Sequence, residues 1–131
     1  MTILDRWGNV RRRMTDSAHR NLRVWKEARA LSLSIYRVTS SFPMTERFGL
    51  TQQIRRSTTS VGANIAEGYG RSGKKEFKNF LSIARGSAKE TEYFLLLAKD
   101  LGFLSETEAA GLICRYEGLC AGLAALAKQV G

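Results

Sequence analysis

Residues 48–71 read FGLTQQIRRSTTSVGANIAEGYGR, and the fold is decided by how this stretch is read. At about 100° of helical rotation per residue, Leu50, Ile54, Val61 and Ile65 fall on one face, with Ser57 and Thr58 filling gaps between them. Gln53, Arg56, Ser60, Asn64 and Glu67 gather along one flank of that stripe, where Glu67, Asn64 and Arg56 suit a polar network at a bundle edge or subunit contact. The outer side carries Thr59, Gly62, Ala63 and Ala66, all small. A solvated helix back is ordinarily rich in Lys and Glu. This one reads either as the rim of a bundle helix or as a surface that another subunit approaches. The pattern predicts a helix over about 46–68, stopping at Gly68 or Gly70 because glycine reaches the left-handed conformation without steric cost.

The segments on either side repeat the helical theme. Upstream, Trp25, Ala28, Leu31 or Ser32, Ile35, Val38 and Phe42 recur at three- and four-residue steps, giving a helix over about 22–42 with Asn21 as its N-cap and Pro43 as its stop. Arg20, Arg23, Lys26 and Arg29 on its early turns read as a solvated face. Downstream, Phe77, Leu81, Ala84, Ala88, Thr91, Leu95 and Ala98 step by four and three alternately, a near-heptad bundle seam within a helix over about 74–101. Beside that seam run Lys74, Lys78, Arg85 and Lys89, with Lys75 close by, forming a basic ridge on one side of the helix. Tyr93, Leu96 and Leu97 make the end of this helix apolar around most of its circumference. One stripe fills a bundle core, so the excess predicts cover by another subunit. After Gly102, Ser105 with Glu108 three residues on forms a capping box that opens a fourth helix over about 105–129, with Ala109, Leu112, Ile113, Tyr116, Leu119, Cys120 and Leu123 on its apolar face. The expected architecture is an all-α, antiparallel up-down-up-down four-helix bundle.

Motifs spread over about residues 20–128 carry a family resemblance. Gly49-Leu50-Thr51-Gln52-Gln53-Ile54-Arg55-Arg56, Ser60-Val61 and Asn64-Ile65-Ala66-Glu67-Gly68 resemble the four-helix-bundle proteins encoded in intervening sequences of bacterial 23S ribosomal RNA genes. Leu22-Arg23-Val24-Trp25-Lys26-Glu27-Ala28, Ser41-Phe42-Pro43, Lys75-Glu76-Phe77 and Leu95 to Gly102 resemble further blocks of that family. The resemblance implies a bundle assembled into a ring-shaped homo-oligomer, commonly a pentamer. More distantly, the chain resembles the basic accessory variability-determinant proteins that partner reverse transcriptases in diversity-generating retroelements. No catalytic residues are implied by either.

Composition sets the outer limits. A chain of 131 residues accommodates one core. No run of 18 or more apolar residues predicts a membrane span, and the lack of an apolar N-terminal core points to the cytoplasm. Cys114 and Cys120 read as buried core residues on roughly one side of the fourth helix. With His19 as the single histidine, no metal or cofactor is expected. Charge is the loudest signal: 21 basic against 12 acidic residues, net +9. It is uneven, since residues 47–89 hold nine basic residues against Glu67 and Glu76, whereas three basic residues face six acids from Glu90 onward. Such asymmetry suits a polyanion partner. Residues 1–20 lack a helical stripe and carry Arg11-Arg12-Arg13, which reads either as a flexible basic arm or as a segment upstream of a start at Met14.

The run Gly68-Tyr69-Gly70-Arg71-Ser72-Gly73 spells G-x-G-x-x-G but follows a helix. A dinucleotide fingerprint must follow a strand, so a helix stop and short loop is the reading taken, with Arg71, Lys74 and Lys75 beside a helix start that attracts phosphate. A nucleophile with a base, paired carboxylates or a metal cluster is not discernible, so no enzyme is expected. Two readings remain. One is phosphate-directed nucleic-acid binding, RNA foremost, through Lys74, Lys75, Lys78, Arg85, Lys89, Arg71, Arg55 and Arg56, with Arg56, Ser60, Asn64, Glu67, Tyr93, Leu96 and Leu97 at oligomer contacts. The other is a scaffold that binds a protein such as a reverse transcriptase, or a structural ring without a polyanion ligand.

Overall fold

The computed structural model describes residues 2–4, 10–12 and 18–131. Four helices account for most of it: α1 (Arg23–Thr39), α2 (Leu50–Gly70), α3 (Lys74–Asp100) and α4 (Glu106–Val130). Neighbours in sequence pack side by side, α4 closes against α1, and the diagonal pairs α1/α3 and α2/α4 do not approach backbone to backbone among the described residues. With loops of three to ten residues, this is the up-down-up-down bundle. Ahead of it, β1 (Thr2–Leu4) pairs antiparallel with β2 (Val10–Arg12), and a 3-10 turn spans Ala18–Asn21. Arg11 and Arg12 therefore sit on a strand, while Trp7, Gly8 and Arg13 lie outside the described residues.

The seam of α3 is fully buried as its spacing requires: Phe77, Leu81, Ala84, Ala88, Thr91, Leu95 and Ala98 are each no more than 1% exposed. They meet Leu50, Ile54, Val61 and Ile65 of α2, Ala28, Leu31 and Ile35 of α1, and Leu112, Tyr116, Leu119 and Leu123 of α4 in one core. By length and composition α4 would qualify as a membrane span, at a mean hydropathy of 1.3. Its buried residues line this core, and 33% of that apolar window is buried in the single chain.

Element boundaries depart from the sequence reading where side chains compete with the backbone. Helix α1 starts at Arg23 after Leu22, which supplies no side-chain cap, and Asn21 belongs to the preceding 3-10 turn. It ends at Thr39, before Pro43: Ser40, Ser41 and Phe42 donate to the third carbonyl back, and the Thr39 hydroxyl takes the Ile35 carbonyl at 2.7 Å. Pro43 instead precedes a 3-10 turn, Met44–Glu46, so α2 begins only at Leu50.

Helix α2 runs on to Gly70 and ends with Arg71 extended (φ −77°), so no left-handed glycine stops it. Gly68 is there for packing. A Cβ at this position would lie 2.5 Å from Phe80 Cβ, which lets α2 and α3 approach closely. The left-handed cap appears at the end of α3, where Gly102 has φ of 80°. There the Phe103 amide donates to the Ala98 carbonyl (2.9 Å) and the Gly102 amide to the Lys99 carbonyl (3.0 Å), the Schellman arrangement. Ser105 caps α4 as its sequence implies: its hydroxyl accepts from the Glu108 amide (3.1 Å) and donates to Glu108 Oε1 (3.0 Å).

A polar layer crosses the core. Ser57 and Thr91 share a hydroxyl hydrogen bond of 2.7 Å between α2 and α3, and Thr91 donates to the Ser87 carbonyl at 2.9 Å. Thr58 bonds the Tyr116 hydroxyl, and Ser32 of α1 reaches the Thr58 carbonyl and hydroxyl, both at 3.2 Å. Every buried hydroxyl in the layer is thus satisfied, which makes it tolerable inside an apolar core.

Candidate nucleic-acid interface

Lys74, Lys78, Arg85 and Lys89 occupy positions within about 60° of one another around α3. Lys78 is half-buried and the other three are exposed. The ridge runs down the α4 side of the helix, because Cys120 of α4 lies against the Arg85 carbonyl (4.0 Å) and against Glu92 (3.7 Å). Burial, followed by the nearby Glu92, pushes the Cys120 thiol up and keeps it protonated. Lys89 pairs with Glu92 at 3.4 Å. Lys74, Lys75, Lys78 and Arg85 form no ion pair among the described residues, so their charge faces solvent.

The other three candidate cations stand apart from the ridge. Arg71 pairs with Glu67 (2.9 Å), with its guanidinium 5.3 Å from the centre of the Phe80 ring, at the α2–α3 edge. Arg55 turns the opposite way, onto α1, donating to the Thr39 hydroxyl (2.8 Å) and the Tyr36 carbonyl (3.3 Å). Arg56 is exposed, and its guanidinium has neither hydrogen bond nor ion pair among the described residues. The eight candidate cations therefore fall into a continuous ridge on α3 and separate positions around α2.

The polar flank of α2 is only partly the network its sequence suggests. Asn64 donates to the Ser60 carbonyl (2.8 Å) and hydroxyl (2.9 Å), and Ser60 meets Ser87 of α3 at 3.0 Å. Glu67 joins Arg71 rather than Asn64 or Arg56. Gly62 faces Trp25 and Ala28 of α1 rather than the outside. At the far end of α3, Tyr93 is 59% and Leu96 45% exposed, Leu97 is half-buried, and Leu101 at the C-cap is 52% exposed, so the single chain leaves this end apolar and open. Cys114 is exposed and only Cys120 is buried. Six residues turn a helix by about 240°, which separates their faces.

One cluster escaped the sequence reading. Where α1 turns into α2, Phe48 (77% exposed) and Tyr36 (45% exposed) each carry a guanidinium over the ring, Arg47 at 4.7 Å and Arg55 at 4.5 Å from the ring centres. Both rings line one groove of about 340 Å³ with Arg56 and Gln52. Arg47-Phe48 adjacency was visible in the sequence, but the pairing of Tyr36 with Arg55, 19 residues apart, depends on the path of the intervening loop.

No curated protein matches the chain. Among solved structures it is similar to a protein of unknown function from the S23 ribosomal protein family of Bacteroides thetaiotaomicron, at 27% identity and a TM-score of 0.72, covering 80% of this chain and 98% of that one. A family model described as 23S rRNA-intervening sequence protein matches residues 20–125, a span that takes in all four helices except the last residues of α4. On that match, with the bundle and its cationic α3 in place, the chain belongs to the 23S rRNA-intervening sequence protein family.

Proposed function

We propose that this protein is a non-enzymatic, basic homo-oligomer that binds RNA mainly through phosphate contacts. The observation that carries the reading is the α3 ridge, where Lys74, Lys75, Lys78 and Arg85 have no carboxylate partner among the described residues. Cations held at helical spacing on a rigid helix neutralise successive phosphates and release counterions, a gain that needs no base recognition. A net charge of +9 draws the polyanion in from a distance. The family's name, drawn from 23S ribosomal RNA, is in keeping with an RNA partner. Self-association is supported by the open patch of Tyr93, Leu96 and Leu101, since exposed apolar clusters mark contact surfaces.

The test is polarisation binding of labelled RNA across a salt series. The reading requires affinity to fall steeply and linearly on logarithmic axes as salt rises. An affinity indifferent to salt would remove it.

A further inference from the structure

We propose that the corner where α1 turns into α2 is a stacking site for unpaired RNA bases, with Phe48 and Tyr36 as the platforms. The inference rests on the RNA-binding reading and adds to it a second, chemically different surface.

Phe48 is the most exposed large apolar side chain of the described residues. Its ring and that of Tyr36 open onto the same groove. Each ring has a guanidinium on one face, and neither contacts a second ring or cation among the described residues. Arg55 is fixed in place by the Thr39 hydroxyl and the Tyr36 carbonyl, so the Tyr36 platform is preorganised. Arg56 opens into the groove unpaired among the described residues. The nearby carboxylate, Glu46, does not line the groove, and its Oε1 accepts the Leu50 amide at 3.1 Å.

These features decide between occupants. An apolar protein surface laid here would strip water from Arg47, Arg55 and Arg56 without supplying counter-charge, a costly desolvation. A single strand brings both missing partners, a base for each open ring face and phosphates for the guanidiniums. A duplex hides its base faces, so it can use the α3 ridge but not this corner.

The experiment uses the full chain and two labelled probes, a single-stranded RNA of about ten nucleotides and the matching RNA duplex. F48A and Y36A should each weaken single-strand binding by roughly tenfold, leave duplex binding within about twofold and leave the salt slope unchanged. F48W, which keeps a ring, should retain affinity. Unchanged single-strand affinity in F48A and Y36A overturns the stacking site while the salt-dependent binding of both probes still upholds the ridge. Equal losses on both probes also overturn it, as does a fall in particle mass by light scattering, which would make the corner a contact between copies. Failure of the unmodified protein to bind either probe at low salt would overturn the RNA reading itself.

Discussion

Tyr116 of α4 and Thr58 of α2 are hydrogen-bonded through their hydroxyls although their helices sit diagonally across the bundle. No backbone of that diagonal comes close, so the phenol is the strut that spans it. Tyr116 is 0% exposed, and burial pushes its hydroxyl well above the ordinary phenol value of 10.0. Removing the hydroxyl in Y116F should lower stability by about 0.5–1.5 kcal/mol, read by urea unfolding.

The same phenol predicts an alkaline limit. The native form holds its proton more tightly than the unfolded chain, so its contribution is complete below pH 10 and is lost as pH climbs toward the raised native value. Stability of the unmodified protein should fall more steeply above pH 10 than that of Y116F. The Cys120 thiol, also raised, contributes the same background to both. Parallel curves would show that Tyr116 is not the group responsible.

Gly68→Ala should destabilise the bundle by about 1–3 kcal/mol. The added methyl meets Phe80 Cβ, an atom tied to the α3 backbone, so the helices must separate to admit it. Gly70→Ala, two residues on, meets nothing and serves as the control in the same thermal melt.

Reversing Lys74, Lys78, Arg85 and Lys89 to Glu should weaken RNA binding strongly and flatten its salt slope by about 0.7 for each phosphate no longer neutralised. Circular dichroism should show unchanged helicity, because these side chains lie outside the core. Undiminished binding would relocate the phosphate-binding surface to the basic N-terminal segment or to α2.

Y93E and L96E together should reduce the particle mass measured by light scattering while the helical signal persists. Both side chains are exposed on the single chain and make no part of its buried core, so the variant acts on association rather than folding. An unchanged mass would exclude this patch as the subunit contact.

What the chain reveals before folding follows from how local each determinant is. The α3 seam is legible because Phe77 through Ala98 repeat on one helix face. Ser105 is legible because its cap needs only Glu108, three residues away. Pro43 misleads because the Thr39 hydroxyl and the serines after it loosen α1 before proline can act. Of the two glycines that read as a helix stop, Gly70 is the last residue of α2, whereas Gly68 reads so only until Phe80 is placed opposite it. The candidate ridge is legible for the same reason as the seam, whereas the Tyr36–Arg55 stack needs two helices and their connection to be in position.

The seam between α1 and α4 is the sparsest of the four and the one that no loop bridges. It is held by Arg115 gripping Glu27 with two nitrogens, at 2.8 and 3.3 Å, and by Val24 resting where Gly122 leaves room. The bundle is therefore built like a folder, with its spine at α2–α3 and its opening edge at α1–α4. Thermal breathing will begin at that edge, so amides of α1 should exchange with deuterium before those of α3, and anything that clamps α1 to α4 will stiffen the whole molecule.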